Sequence, residues 1–343
     1  MFSRARNPPQ GASFASMVVR RSILAIAGGI APTRLPSRSD AEAGVGSFEV
    51  GVTLPLAQYG PARATARWTE IREIALRSEA MGVDTLWLPD ELLWRTDGDP
   101  QGVWDGVSMA GAVAAVTSTV KVGTWVLSAL HRNPGIIAKT AETLDEICGG
   151  RFVFGLGAGH AWPGQAYAFG LPEDRIFDRF EEALRIIVPL IREGHADFKG
   201  QYHAARDLVQ QPVGPRPGAI PLLIGGNGPK GQRHAVLHAD IWSCYAEERA
   251  HLDELGPRLA SFEAVCDEVG RDPATIGRAA GLSVRPLEPA GQREGAISGS
   301  AVEIADALCS FRDAGFTQVD LMVSPGTLDA YERLEPVLDL VRR

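Results

Sequence analysis

From residue 48 onward, short apolar runs alternate with amphipathic helical stretches, and no other feature restricts the fold so tightly. Phe48 to Leu56 reads as a strand ended by Pro55. Arg67 to Met81 then repeats apolar residues at helical spacing (Trp68, Ile71, Ile74, Ala75) and stops at Gly82. Thr85 to Leu88 is a second strand, followed by a looser helix over about 103–118, and Val120 to Ser128 is a third. Asn133-Pro134 opens a helix that Gly149-Gly150 closes. Further strands are expected at 152–157, 220–224, 240–245, 276–286 and 318–323, with helices at 179–193, 229–239, 251–269, 300–314 and 327–342. Such alternation means parallel strands joined by crossover helices. Eight units over about 295 residues suit an α/β fold of the closed (β/α)8 TIM-barrel type better than an open doubly wound sheet. One excursion breaks the rhythm after the fourth helix, at about 195–219. Asp197 to Tyr202 looks like a hairpin turn there, and Pro212, Pro215 and Pro217 make an extended run.

Residues 1–47 stand apart from this barrel region, 48–343. They hold six arginines against two acids, which leaves the remainder with an excess of twelve negative charges out of a net −8 for the whole. Arg20-Arg21-Ser22 followed by a short apolar stretch resembles a twin-arginine export signal, and Ala41-Glu42-Ala43 offers a cleavage site. The other reading is a disordered extension or a mis-assigned start, with the protein cytoplasmic. The acidic balance argues against a nucleic-acid partner, since phosphate contacts need clustered Lys and Arg. No apolar run reaches the roughly 18 residues of a membrane span. Cys148, Cys244, Cys266 and Cys309 form no C-x-x-C pair and read as buried small hydrophobes in a reduced protein.

The fourth strand carries the densest signal. In Gly150-Arg151-Phe152-Val153-Phe154-Gly155-Leu156-Gly157-Ala158-Gly159-His160, apolar residues interleave with glycines, so a buried strand ends in nearly bare backbone. The run fails the dinucleotide fingerprint, because its third glycine would fall at position 160, which is His. His234 and His238 have zinc-helix spacing but lack the intervening Glu, and neither a phosphate loop ending in Gly-Lys-Ser/Thr nor a G-x-S-x-G elbow occurs.

Taken in order, Ser78 to Asp84 leading into Leu86-Trp87-Leu88-Pro89-Asp90, Arg132-Asn133-Pro134, Leu144 to Arg151, Gly155 to His160, Ala168 to Pro172 and Pro221 to Gly226 resemble the bacterial-luciferase-like family of flavin- and deazaflavin-dependent oxidoreductases. The likeness covers about 48–343, and it implies a barrel with an insertion where the 195–219 excursion lies. It also implies a redox cofactor, F420 or FMN, a small organic substrate and a homodimer.

Sites of such barrels lie at the C-terminal strand ends. At the second strand the family usually has Asp followed by His, lining the cofactor. Asp90 matches and Glu91 departs, so Asp90 either faces the cofactor or caps its loop. A buried Glu91 would have a raised pKa and could move protons. At Val126-Leu127-Ser128 the family often has a non-prolyl cis peptide or bulge pressing backbone on the ring, where an ordinary strand end is the alternative. Gly157, Ala158 and Gly159 would leave room for the ring. His160 stands where the family's sugar-phosphate dehydrogenases carry a proton-transferring acid, and is either that group or a structural histidine. Gly225-Gly226-Asn227-Gly228 precedes a helix, as a phosphate cradle or a simple turn, with Lys230 and Arg233 adding charge. Asp90 and the Gly157 to His160 stretch favour F420 and hydride transfer. FMN, which would permit monooxygenation, is the alternative, and a barrel binding cofactor or ligand without turnover is a third reading of another class.

Overall fold

The structure, a computed structural model, describes residues 48–58, 64–96, 99–159, 165–246, 250–291 and 295–343. The twin-arginine stretch, the Ala41 to Ala43 motif and His160 lie outside the described residues.

Eight parallel strands close on themselves: β1 (Glu49–Thr53), β2 (Thr85–Leu88), β3 (Lys121–Thr124), β4 (Phe152–Gly157), β5 (Leu222–Gly225), β6 (Ile241–Tyr245), β7 (Gly277–Arg285) and β8 (Gln318–Val323). Each pairs with the next, and β8 returns to β1 with Gln318 opposite Glu49 and Met322 opposite Thr53. The crossovers are α1 (Trp68–Ala80), α2 (Gly106–Val116), α3 (Pro134–Cys148), α4 (Ile176–Glu193), α5 (Pro229–His238), α6 (Leu252–Val269) and α7 (Ala301–Asp313), and α8 (Glu335–Val341) follows β8.

Local chemistry explains the boundaries. Asn133 caps α3 by accepting from the Gly135 and Ile136 N–H groups, Pro134 supplies a preset first turn, and Gly149 ends it at φ 60°. Along α4, Phe180, Leu184, Ile187 and Ile191 recur at helical spacing and are all buried. Most of the core fills the layer between strands and helices, and burying each such side chain contributes about 1.5–3 kcal/mol before chain entropy is counted. A second cluster, Trp87, Val153, Leu223 and Ala279, plugs the barrel itself, with Trp125, Val126 and Ile241 against it. Alternate residues of the strands point inward, and the Trp87 indole is admitted because Gly123 has no Cβ, which would stand 2.3 Å from the ring.

Four features differ from the sequence reading. The third strand is not continuous over 120–128: β3 ends at Thr124, the Trp125–Val126 peptide is cis, as the family resemblance offers against an ordinary strand end, and pairing resumes at Leu127–Ser128. A hairpin, Leu93–Thr96 with Asp99–Gly102, follows β2 unforeseen. A further short strand, Ile297–Ser298, joins the edge of β7. The last helix is split into Leu328–Glu332 and α8, whose first turn contains Pro336. The excursion at 195–219 does form a hairpin, His195–Lys199 with Ala204–Val209, and Glu182 of α4 accepts the N–H groups of Gln201, Tyr202 and His203 at its turn. All four cysteines are free thiols, and burial pushes Cys244 up to about 12 and Cys148 to about 11. No helix of the described residues is long and apolar enough to cross a membrane.

Candidate functional site at the barrel mouth

The C-terminal ends of β2 to β6 build one rim. Asp90, just past β2, is buried, and its carboxylate is fully engaged. It accepts from the Ser128 N–H (2.9 Å) and from both Arg132 Nη atoms (2.6 and 2.8 Å), while His131 Nδ1 lies 3.3 Å away. Burial alone would raise its pKa. Together the His131, Arg132 and Ser128 interactions outweigh burial and hold the carboxyl below its ordinary range. Arg132 also reaches Asp105, the N-cap of α2, at 3.2 Å. Asp90 thus ties the loop after β3 to the end of β2.

Glu91 is of the other kind. Its carboxyl is partly buried and hydrogen-bonds no side chain among the described residues, so desolvation, reinforced by the Asp90 charge, raises its pKa. Two adjacent carboxyls are therefore pushed apart, one held ionised and one inclined to carry a proton. Such divergence is what acid–base chemistry requires.

Beyond β3, Trp125 lies across the barrel mouth. Its Nε1 donates to Ser243 Oγ of β6 (3.1 Å), and its ring meets Tyr245 edge-on at 6.1 Å. The next residue, Val126, fills space beside the glycines of β4 and β5. A Cβ on Gly157 would stand 2.7 Å from Val126 Cγ2, and one on Gly225 would be 3.6 Å from Val126 Cγ1. A Cβ on Gly159, whose φ is 91°, would meet Ser128 Oγ at 2.5 Å and Leu130 at 2.9 Å. The bare end of β4 therefore receives the bent end of the third strand. Leu127 pairs with Leu156 and Ser128 with Gly157, and Ala158 packs on the core. The site residues after β3 and β4 form this floor together, whereas His160 lies outside the described residues.

The loop after β5 is built differently. Gly226 lets α5 approach, since a Cβ there would be 2.7 Å from Gly231 Cα. Asn227 faces β6: its Oδ1 accepts from the Tyr245 N–H (2.9 Å) and its Nδ2 donates to the Tyr245 carbonyl (3.2 Å). Gly228 is the N-cap of α5 and has no atom within 4 Å of its absent side chain. The Lys230 and Gly231 N–H groups lie in the first turn, where no carbonyl of the helix can serve them. Lys230 stands 5.8 Å over the Phe177 ring. An anion could be held at this open helix start.

Sequence reading missed Trp125, His131 and Gln165. Trp125 follows β3 directly and His131 lies on the same connection, past Leu127–Ser128, where a barrel places site residues. Gln165 begins a short helix, Gln165–Phe169, and carries no motif. A surface cleft between α4 and the 195–209 hairpin, lined by Arg175, Glu182 and Tyr202 among others, includes none of these residues.

Fold and rim together define a (β/α)8 barrel whose C-terminal mouth carries two adjacent carboxyls in contrasting surroundings and an open helix start. The family described as luciferase-like monooxygenase matches residues 48–288, and the chain belongs to it. A relative named F420-dependent glucose-6-phosphate dehydrogenase, from Amycolatopsis mediterranei (strain U-32), is 31% identical over 232 residues, 66% of each protein. The chain spans about half to two thirds of the length of the curated relatives it matches. Among solved structures, an F420-dependent secondary alcohol dehydrogenase in complex with an F420–acetone adduct superposes with TM-score 0.72 at 21% identity. The match covers 87% of this chain and all of that one. A riboflavin lyase with modified FMN gives TM-score 0.70 at 16% identity, over 86% and 92% of the two chains. At those identities the shared feature is the barrel.

Proposed function

We propose that this chain is an F420-dependent oxidoreductase that takes a hydride from an alcohol-type carbon of a small organic substrate, or returns one to it. The observation that carries the reading is the contrast at the end of β2 between Asp90, held by Ser128 and Arg132, and the adjacent Glu91, which hydrogen-bonds no side chain among the described residues. Sequence likeness to relatives named F420-dependent dehydrogenases supports it. The rim suits such a cofactor: Trp125 and Val126 offer partly buried apolar surface, and the open Gly228 turn with the α5 N–H groups and Lys230 suits its phosphate. When bound, the deazaflavin supplies the hydride-accepting carbon. The chain itself supplies orientation and a place for the hydroxyl proton, which must leave as the carbon–hydrogen bond breaks. Glu91 takes that proton on its carboxylate, and His160 is the second acceptor.

An FMN-dependent monooxygenase is the alternative, since FMN structures share the barrel. Purified protein with an intrinsic flavin spectrum would establish it. Tryptophan quenching on adding F420 but not FMN is the result expected of the F420 reading, and quenching by neither would overturn both.

A single barrel domain over 48–343 preceded by a separate segment, and a cytoplasmic location, complete the reading. Four unpaired thiols support a reducing compartment. Mass spectrometry of the native N-terminus distinguishes this from twin-arginine export. A homodimer is proposed as well. The eleven residues of α2 include no charged side chain, and Ile136 and Ile147 of α3 are exposed on the outer face.

A further inference from the structure

Gln165, at the start of the short helix Gln165–Phe169, is buried at 2% exposure. Its Oε1 accepts from two consecutive backbone N–H groups, Leu92 (2.8 Å) and Leu93 (3.0 Å), immediately after Glu91. Those two donors decide which end of the amide is oxygen, so the NH2 end is the one facing His131 Nε2 at 3.4 Å. An amide NH2 can only donate, so His131 Nε2 must accept, and a neutral imidazole that accepts at Nε2 carries its proton at Nδ1. That Nδ1 faces Asp90 Oδ2 at 3.3 Å, too bent for a full hydrogen bond but within ion-pair distance. The same Asp90 oxygen accepts from the Ser128 N–H and from Arg132. A single buried amide therefore links the loops after β2, β3 and β4.

We propose that Gln165 is a positioning residue, a latch that fixes the Glu91 to Leu93 backbone and sets His131 in its Nδ1–H form against Asp90. Without it the two Leu amides lose their shared acceptor, the imidazole is free to adopt either tautomer, and the loop that carries Glu91 past the end of β2 is held from one side only. The consequence for hydride transfer rests on the F420 reading; the latch does not. Its two halves are chemically separable. Gln165→Glu keeps an oxygen for Leu92 and Leu93 but replaces the donor facing His131 by an acceptor. Gln165→Ala removes both.

Nitrogen-15 shifts of the His131 ring and amide hydrogen exchange, measured on the full chain, test this without turnover. The wild type is expected to show protonated Nδ1 and unprotonated Nε2, and Gln165→Glu to move the proton toward Nε2. Leu92 and Leu93 should exchange at least about tenfold faster in Gln165→Ala, with Gln165→Glu close to wild type. An Nε2–H tautomer in the wild type overturns the latch and needs no variant to be folded. Unchanged exchange at Leu92 and Leu93 in a folded Gln165→Ala overturns it equally. Failure of the cofactor reading is seen separately, as absent quenching of wild-type tryptophan by F420.

Discussion

At the scale of single residues, the mouth separates two jobs that neighbouring carboxyls could have shared. Asp90 accepts from the Ser128 N–H and both Arg132 Nη atoms, which holds its pKa down, so it anchors; Glu91 lacks a side-chain partner among the described residues and is desolvated, and it is the proposed proton carrier. As a base it must be ionised, so kcat/KM for alcohol oxidation should rise with pH through its raised pKa. Glu91→Gln should remove that acidic limb from the pH–rate profile and lower the rate by about 100-fold. A limb that survives in the variant would move the role elsewhere. The remaining candidate is His160. His160→Ala should slow cofactor reduction at least about tenfold with F420 affinity little changed, as read by stopped-flow absorbance and quenching titration. Unaltered turnover would return His160 to a structural role.

Elements come next. The strand order, the 195–219 hairpin and the α3 caps were legible because periodicity, Pro and Gly act locally. Gln318 to Val323 was read to the residue. The residues of Val120 to Ser128 do not themselves announce the break at Trp125; the family resemblance offers a cis peptide or bulge there beside an ordinary strand end, and the fit of Val126 into the glycines of β4 and β5 shows where the strand bends. The glycines misled in a useful way: their spacing announced room, but a neighbouring strand, through Val126 and Ser128, occupies much of it. The hairpin after β2 had one signal, Asp97-Gly98, without flanking alternation strong enough to support it. Gly226 makes the element scale testable. It separates the end of β5 from the first turn of α5 by less than a methyl group's width. Gly226→Ala should therefore push α5 outward, cost about 1–3 kcal/mol in denaturant unfolding and weaken F420 binding. Gly228→Ala meets nothing within 4 Å and serves as the control. Equal stability of the two variants would refute the close-packing role.

For the whole molecule, the decisive contact is the one that closes the barrel, β8 against β1. Inside that seam lies Asp320, opposite Gly51, completely buried. Its oxygens accept from Trp87 Nε1 (2.6 Å) and Gln318 Nε2 (2.8 Å), yet burial dominates and pushes its pKa up to about 7. An acid whose pKa is higher folded than unfolded favours the folded state while protonated. Stability from this group is therefore complete below about 4, falls as pH rises, and levels off above about 7. The slope cannot exceed about 1.4 kcal/mol per pH unit. Asp90 and Glu79, both with lowered pKa, act in the opposite sense and at lower pH, where acid protonates them. Comparison with Asp320→Asn isolates the seam, because asparagine keeps an oxygen for Trp87 and Gln318 but has no charge to bury. Urea unfolding should show the variant gaining on the wild type as pH rises from about 4 to about 7. Parallel curves would mean that Asp320 ionises without cost and that the barrel seam is wetter than its burial indicates.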